Sequence, residues 1–200
     1  MDNLLNNKFT EHYKLPPSSA AVATTVMDGM FSLRDTDTKG GGMANFANPD
    51  CKTIAHLNYE SFVNSLPDNF TRRRKRCDYI VYTTSDQTHF LLCELVRTKT
   101  DGVRPDKRRQ KREQLRESLH DISAVPDIKN FMAKYGKRRC CLFNARPPAP
   151  LLDNNAERPV TAPVAFNPPL KLEHRLPYVE VYGFEPILYE YSGASAYAFD

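Results

Sequence analysis

An aspartate and a glutamate each sit inside an apolar run, and the two runs are neighbours in the chain. The first run is Cys77-Asp78-Tyr79-Ile80-Val81-Tyr82-Thr83; the second is His89-Phe90-Leu91-Leu92-Cys93-Glu94-Leu95-Val96. Apolar runs of this length on either side of Thr84-Ser85-Asp86-Gln87 predict two short buried strands joined by a turn. A carboxylate in such a setting is unfavourable to bury unless a metal ion or a cationic partner neutralises it. Two of them on paired strands predict either a metal site or a buried ion-pair network.

The charge pattern supplies the cations. Net charge is +4, but three short windows, Arg72 to Arg76, Arg104 to Arg116 and Lys137 to Arg139, hold fifteen of the 28 basic residues. Only Asp106 and Glu113 are acidic within them, so the rest of the chain is acidic. Clustered positive charge on an otherwise acidic chain favours a local polyanion site over general stickiness. A solvated basic face, or arginines paired with acids of the same chain, is the plainer alternative. No apolar stretch approaches the roughly 18 residues of a membrane span, and the first residues do not read as a secretory signal. Five cysteines without a C-x-x-C spacing read as reduced core thiols, which places the chain in the cytoplasm.

Residues 1–53 are poorly periodic and predict an irregular N-terminal arm. A compact core is expected over 54–144. In it, Leu57 to Leu66 reads as a helix with Tyr59, Phe62, Val63 and Leu66 on one face, ended by Pro67. The two acid-bearing strands follow. A helix over 105–122 starts at Pro105, with Leu115, Leu119 and Ile122 as its core stripe. A shorter helix runs from Ile128 to Tyr135, and Arg139 to Asn144 reads as another strand. Residues 145–200 predict a proline-rich extension ending in a hairpin between 178–182 and 187–191. The whole is an α/β chain with a mixed central sheet flanked by helices.

The order helix, strand with Asp, strand with Glu, basic helix, helix, strand resembles the PD-(D/E)XK nuclease superfamily, a restriction-endonuclease-like fold. The resemblance covers roughly 54–144. It implies that Asp78 and Glu94 bind Mg²⁺ or Mn²⁺ and that Glu60 is the optional helix glutamate. The family lysine two residues after the second acid falls on Val96, and Cys77 stands where the family often has proline. A substitute cation is then required, and Arg97, Lys99, Lys107 and Lys111 are candidates, with Lys107 and Lys111 reaching in from the helix. Arg72, Arg73, Arg74, Lys75 and Arg76, with Arg108, Arg109, Arg112 and Arg116, would hold a DNA or RNA backbone.

Two functional expectations follow. One is a metal-dependent nuclease cutting DNA or RNA phosphodiesters, with Asp78, Glu94 and Lys107 or Lys111 as its catalytic groups. The other is a nuclease-like module that no longer cuts and serves to bind nucleic acid or to assemble with a protein. The proline-rich extension and a tyrosine-rich tail (Tyr178, Tyr182, Tyr189, Tyr191 and Tyr197) would then dock the partner. A pure protein-interaction module with a basic face is a third possibility. The histidines lack zinc-ligand spacing, Gly40-Gly41-Gly42 lacks the rest of a P-loop, and no serine sits in a nucleophile elbow.

Overall fold

The computed structural model describes residues 1–35, 42–72, 74–96, 103–144, 171–193 and 195–200. Arg73, Arg97, Lys99 and most of the proline-rich segment (145–170) lie outside the described residues.

Two sheets and a helical layer make up the fold. The larger sheet has seven strands: β1 (Thr24–Val26), β4 (Ile54–Asn58), β5 (Tyr79–Thr83), β6 (His89–Leu95), β7 (Lys137–Asn144), β8 (Lys171–Arg175) and β9 (Ile187–Ser192). Their spatial order is β1-β4-β5-β6-β7-β9-β8. Among the first four each strand is antiparallel to its neighbour, β6, β7 and β9 run parallel, and β8 closes the far edge antiparallel to β9. The sheet is therefore mixed. The parallel step from β6 to β7 needs a crossover, and α4 (Pro105–Ser123) and α5 (Pro126–Ala133) supply it on one face.

The acid-bearing runs are continuously apolar because both of their faces are covered. Ile80, Tyr82, Leu92, Cys140, Leu142 and Leu188 face the helices, where they meet Leu115, Leu119 and Ile122 of α4 and Ile128 of α5. Tyr79, Val81, Leu91, Cys93, Cys141 and Phe143 face the other way, onto a three-stranded sheet of order β10-β3-β2. That sheet consists of β2 (Met30–Arg34), β3 (Met43–Ala47) and β10 (Ala196–Ala198).

Several sequence expectations are corrected. The segment before residue 54 is not an irregular arm. A helical stretch from Leu4 through α1 (Thr10–His12) buries Leu5 and Phe9 completely, β1 extends the main sheet, and β2 and β3 build the smaller one. Short strands with partly exposed faces leave too weak a period to read. Leu57 and Asn58 end a strand instead of opening a helix; the Asn58 side chain caps α2 (Tyr59–Asn64) by accepting from the Ser61 amide at 2.7 Å. The C-terminal hairpin pairs β8 with β9, whereas 177–182 forms a 3-10 helix whose alternation mimics a strand. The tyrosine tail is folded largely inward: Tyr189, Tyr191 and Tyr197 are buried, and Tyr178 and Tyr182 pack, partly buried, on the core. Four cysteines are buried free thiols as expected, but Cys51 is exposed.

Candidate functional site

Asp78 stands just before β5, at a junction of three elements. Its carbonyl accepts the first amides of α2, from Tyr59 at 2.9 Å and Glu60 at 3.3 Å, and its own amide donates to the Cys93 carbonyl at 3.1 Å. The preceding amide, Cys77, donates to Ser118 Oγ of α4 at 2.6 Å. These bonds hold α2, β5, β6 and α4 around one carboxylate. Asp78 Oδ2 accepts the Leu95 amide at 2.5 Å. Glu94 lies on the helix-facing side of β6 with no exposed surface.

The cation that meets both acids is Lys111. Its Nζ donates to Glu94 Oε2 at 2.6 Å and lies 4.0 Å from Asp78 Oδ2. Lys107, one helical turn earlier, is exposed and stays outside the site. Burial pushes the Asp78 carboxyl above its ordinary range, opposed by the Lys111 charge and the Leu95 amide. Burial raises Glu94 well above its range, helped by the Asp78 charge and opposed by Lys111. Burial alone would lower Lys111, but Glu94 and Asp78 outweigh it and hold the ammonium above ordinary lysine. Lys111 is consequently a fixed positive charge at neutral pH, suited to stabilising an anion and unsuited to taking a proton.

Glu60 is half-buried at the start of α2. Its amide donates to the Asp78 carbonyl, which keeps it beside that acid, and its carboxylate lies 4.0 Å from Arg76 Nε. Among the described residues, no group of three or more His, Cys, Asp and Glu side chains is placed to hold a metal ion. The fit to a hard cation comes from the acid pair: Glu94 Oε1 is buried and has no hydrogen-bond partner, which is an oxygen ready for a ligand.

The basic windows divide sharply. Arg74 is structural: its guanidinium bonds Asp121 Oδ1 at 2.7 Å and covers the Phe70 ring at 4.1 Å. Arg108 is also taken up internally, its Nε lying 2.8 Å from Glu190 Oε2. Arg112 is half-buried, with its carbonyl accepting the Tyr178 hydroxyl, and exposed Arg116 leans over the Tyr178 ring. In the third window Arg139 pairs with Glu185 at 2.7 Å. Arg72, Lys75 and Arg109 remain exposed, and Arg76 lines a groove with Lys75 and Arg109.

Sequence reasoning missed a third buried acid set in an apolar run. Glu190 of β9 has no exposed surface, and its carboxylate accepts from Arg108, from the Val103 amide at 3.3 Å and from His174 at 2.9 Å. The signal was available: Glu190 interrupts the apolar run Ile187-Leu188-Tyr189-Glu190-Tyr191, as Asp78 and Glu94 interrupt theirs. Leu142 of β7 is the strand partner of both Glu94 and Glu190, so the two glutamates share a sheet face, where Lys111 and Arg108 of α4 meet them. Comparisons with protein-family models, curated proteins and solved structures returned no match for this chain.

Proposed function

We propose that the chain is a metal-dependent phosphodiester hydrolase acting on DNA or RNA, of the PD-(D/E)XK type. The observation that carries the reading is the placement of Lys111: it brings from α4 the charge that Val96 does not supply from β6. Support also comes from the order of elements, in which an antiparallel β4-β5-β6 unit is followed by a helical crossover to parallel β7. A basic groove opens beside the acids.

Asp78 and Glu94 would hold Mg²⁺ or Mn²⁺, with Glu60 adjoining. When bound, such an ion supplies an acidified water and neutralises charge at phosphorus. The chain's own groups do the rest. The Leu95 amide fixes one Asp78 oxygen and thereby the orientation of the carboxylate. Lys111, kept charged by its two acids, offsets negative charge that develops on the phosphoryl oxygens. The low-dielectric surroundings strengthen that interaction.

The test is cleavage of labelled DNA and RNA with Mg²⁺ or Mn²⁺, by the natural chain and by Asp78→Asn, Glu94→Gln and Lys111→Met. Metal-dependent cutting that each substitution lowers by at least about a hundredfold supports the reading; cutting that survives in all three variants defeats it. A second reading, a binding module that does not cut, is favoured by the 2.6 Å contact through which Lys111 already neutralises Glu94. Salt-sensitive binding without cleavage by the natural chain would establish it.

A further inference from the structure

Next to the acid pair lies a groove of about 530 Å³ between the segment 74–76 and α4. Arg74, Lys75 and Arg76 line one wall, Arg109 and Gln110 the other, and Glu60 closes the end nearest Asp78. Four cations face only two acids, Glu60 and Glu113, so the groove favours an anion. Its volume is that of a small-ligand site.

The cations are not equivalent. Arg74 is committed to Asp121, and Lys75 to Glu113. Arg76 is different. One end of its guanidinium, Nη1, is pinned by the carbonyls of Arg74 at 3.1 Å and Thr71 at 3.5 Å. Its Nε is buried without a hydrogen-bond partner, and its nearest acid oxygen, on Glu60, is 4.0 Å away. Gln114 Nε2 donates to the Arg76 carbonyl at 3.1 Å, which holds the residue against α4. Arg109, across the groove, is exposed and forms no ion pair among the described residues. A preoriented guanidinium whose Nε has no hydrogen-bond partner, facing the exposed guanidinium of Arg109, is the chemistry of a phosphate clamp.

We infer that this groove is a phosphate subsite, separate from the acid pair, in which Arg76 and Arg109 grip a phosphate of a nucleic-acid strand. Its position beside a scissile bond rests on the nuclease reading; the phosphate site itself does not. The phosphate is either a terminal monoester or an internal diester, since both present the same oxygens to the two arginines.

The experiment measures binding without cleavage. Dye-labelled hexathymidylate carrying either a 5′-phosphate or a 5′-hydroxyl is titrated with the full chain by fluorescence anisotropy, with no divalent metal. Arg76→Gln and Arg109→Gln are each expected to weaken binding about tenfold. Lys134→Gln, an exposed change beyond α5, controls for simple loss of charge. A terminal site appears as a preference for the 5′-phosphate that both variants abolish. An internal site appears as equal losses for the two oligonucleotides. The inference is overturned if the natural chain binds neither oligonucleotide, or if both variants melt like the natural chain and bind with its affinity. Should Arg76→Gln fail to fold, Arg109→Gln decides alone, because its side chain is exposed. A chain that cuts nothing yet shows these losses ends the nuclease reading and keeps the subsite; a chain that cuts but shows none does the reverse.

Discussion

Lys111 Nζ and Glu94 Oε2 stand 2.6 Å apart, the lysine reaching from α4 to a glutamate that has no exposed surface. Each is tolerable in the interior because of the other. Removing one partner of such a pair leaves a buried charge and costs about 3–5 kcal/mol. Lys111→Met should therefore destabilise the chain by about that amount, and Lys111→Met with Glu94→Gln should recover most of it. Urea unfolding of the three proteins is the check. Recovery of stability without recovery of cleavage would separate the structural role of the pair from the chemical role proposed for it.

One turn of α4 away, Arg108 and Glu190 form a parallel case, with both glutamate oxygens engaged. Arg108→Leu should lower stability by about 3 kcal/mol. Because Arg108 also anchors the start of α4, the same change should shift Lys111 and reduce any cleavage, whereas Arg116→Leu, at an exposed site, should change stability by no more than about 0.5 kcal/mol. Equal unfolding midpoints for the two variants would refute the anchoring role.

The acid pair was legible because a carboxylate in an apolar run is rare on physical grounds, whatever the fold. The choice between Lys107 and Lys111 was not. Spaced i and i+4, they occupy the same helix face, and only the depth at which α4 lies over the sheet decides that Lys111 reaches Glu94 while Lys107 meets solvent. Basic windows told where positive charge lies along the chain but not which arginines the fold consumes; Arg74 and Arg108 pair with Asp121 and Glu190, 47 and 82 residues away. The smaller sheet was hidden for a related reason. Its strand β10 is three residues long and gains its meaning from β3, whose residues pair with it from far earlier in the chain, Asn45 with Ala196.

Gly42 packs against the backbone of Val96, just past the end of β6. A Cβ there would fall 2.6 Å from the Val96 amide nitrogen and 2.9 Å from the Val96 carbonyl, and backbone cannot rotate aside. Gly42→Ala should therefore push the β2–β3 hairpin off the end of β6 and cost about 1–3 kcal/mol. A thermal melt unchanged by Gly42→Ala would show that the hairpin is not held there. The substitution Gly29→Ala is the natural control, since a Cβ at that position meets nothing closer than 3.9 Å.

Acid sensitivity should centre on His89. Its ring is buried against Tyr197 and Phe199, Nδ1 bonds Thr88 Oγ1 at 2.8 Å, and Nε2 has no hydrogen-bond partner. Burial, with Lys137, Lys52 and Arg139 nearby and Asp200 opposing them, lowers its pKa to about 4. The unfolded chain thus takes up this proton before the folded one does, so the fold is favoured above about pH 6.5 and loses that advantage as pH falls towards 4. Between pH 7 and pH 4 the natural chain should lose about 3 kcal/mol more than His89→Phe, in which an uncharged ring replaces the imidazole. Asp86, lowered to about 2 by hydrogen bonds from Thr83 and Thr88 that outweigh its burial, titrates below this window in the folded state and is common to both proteins. Urea unfolding at pH 7, 5.5 and 4 reads the difference directly; parallel pH profiles for the two proteins would mean that the charging of His89 does not set the acid limit.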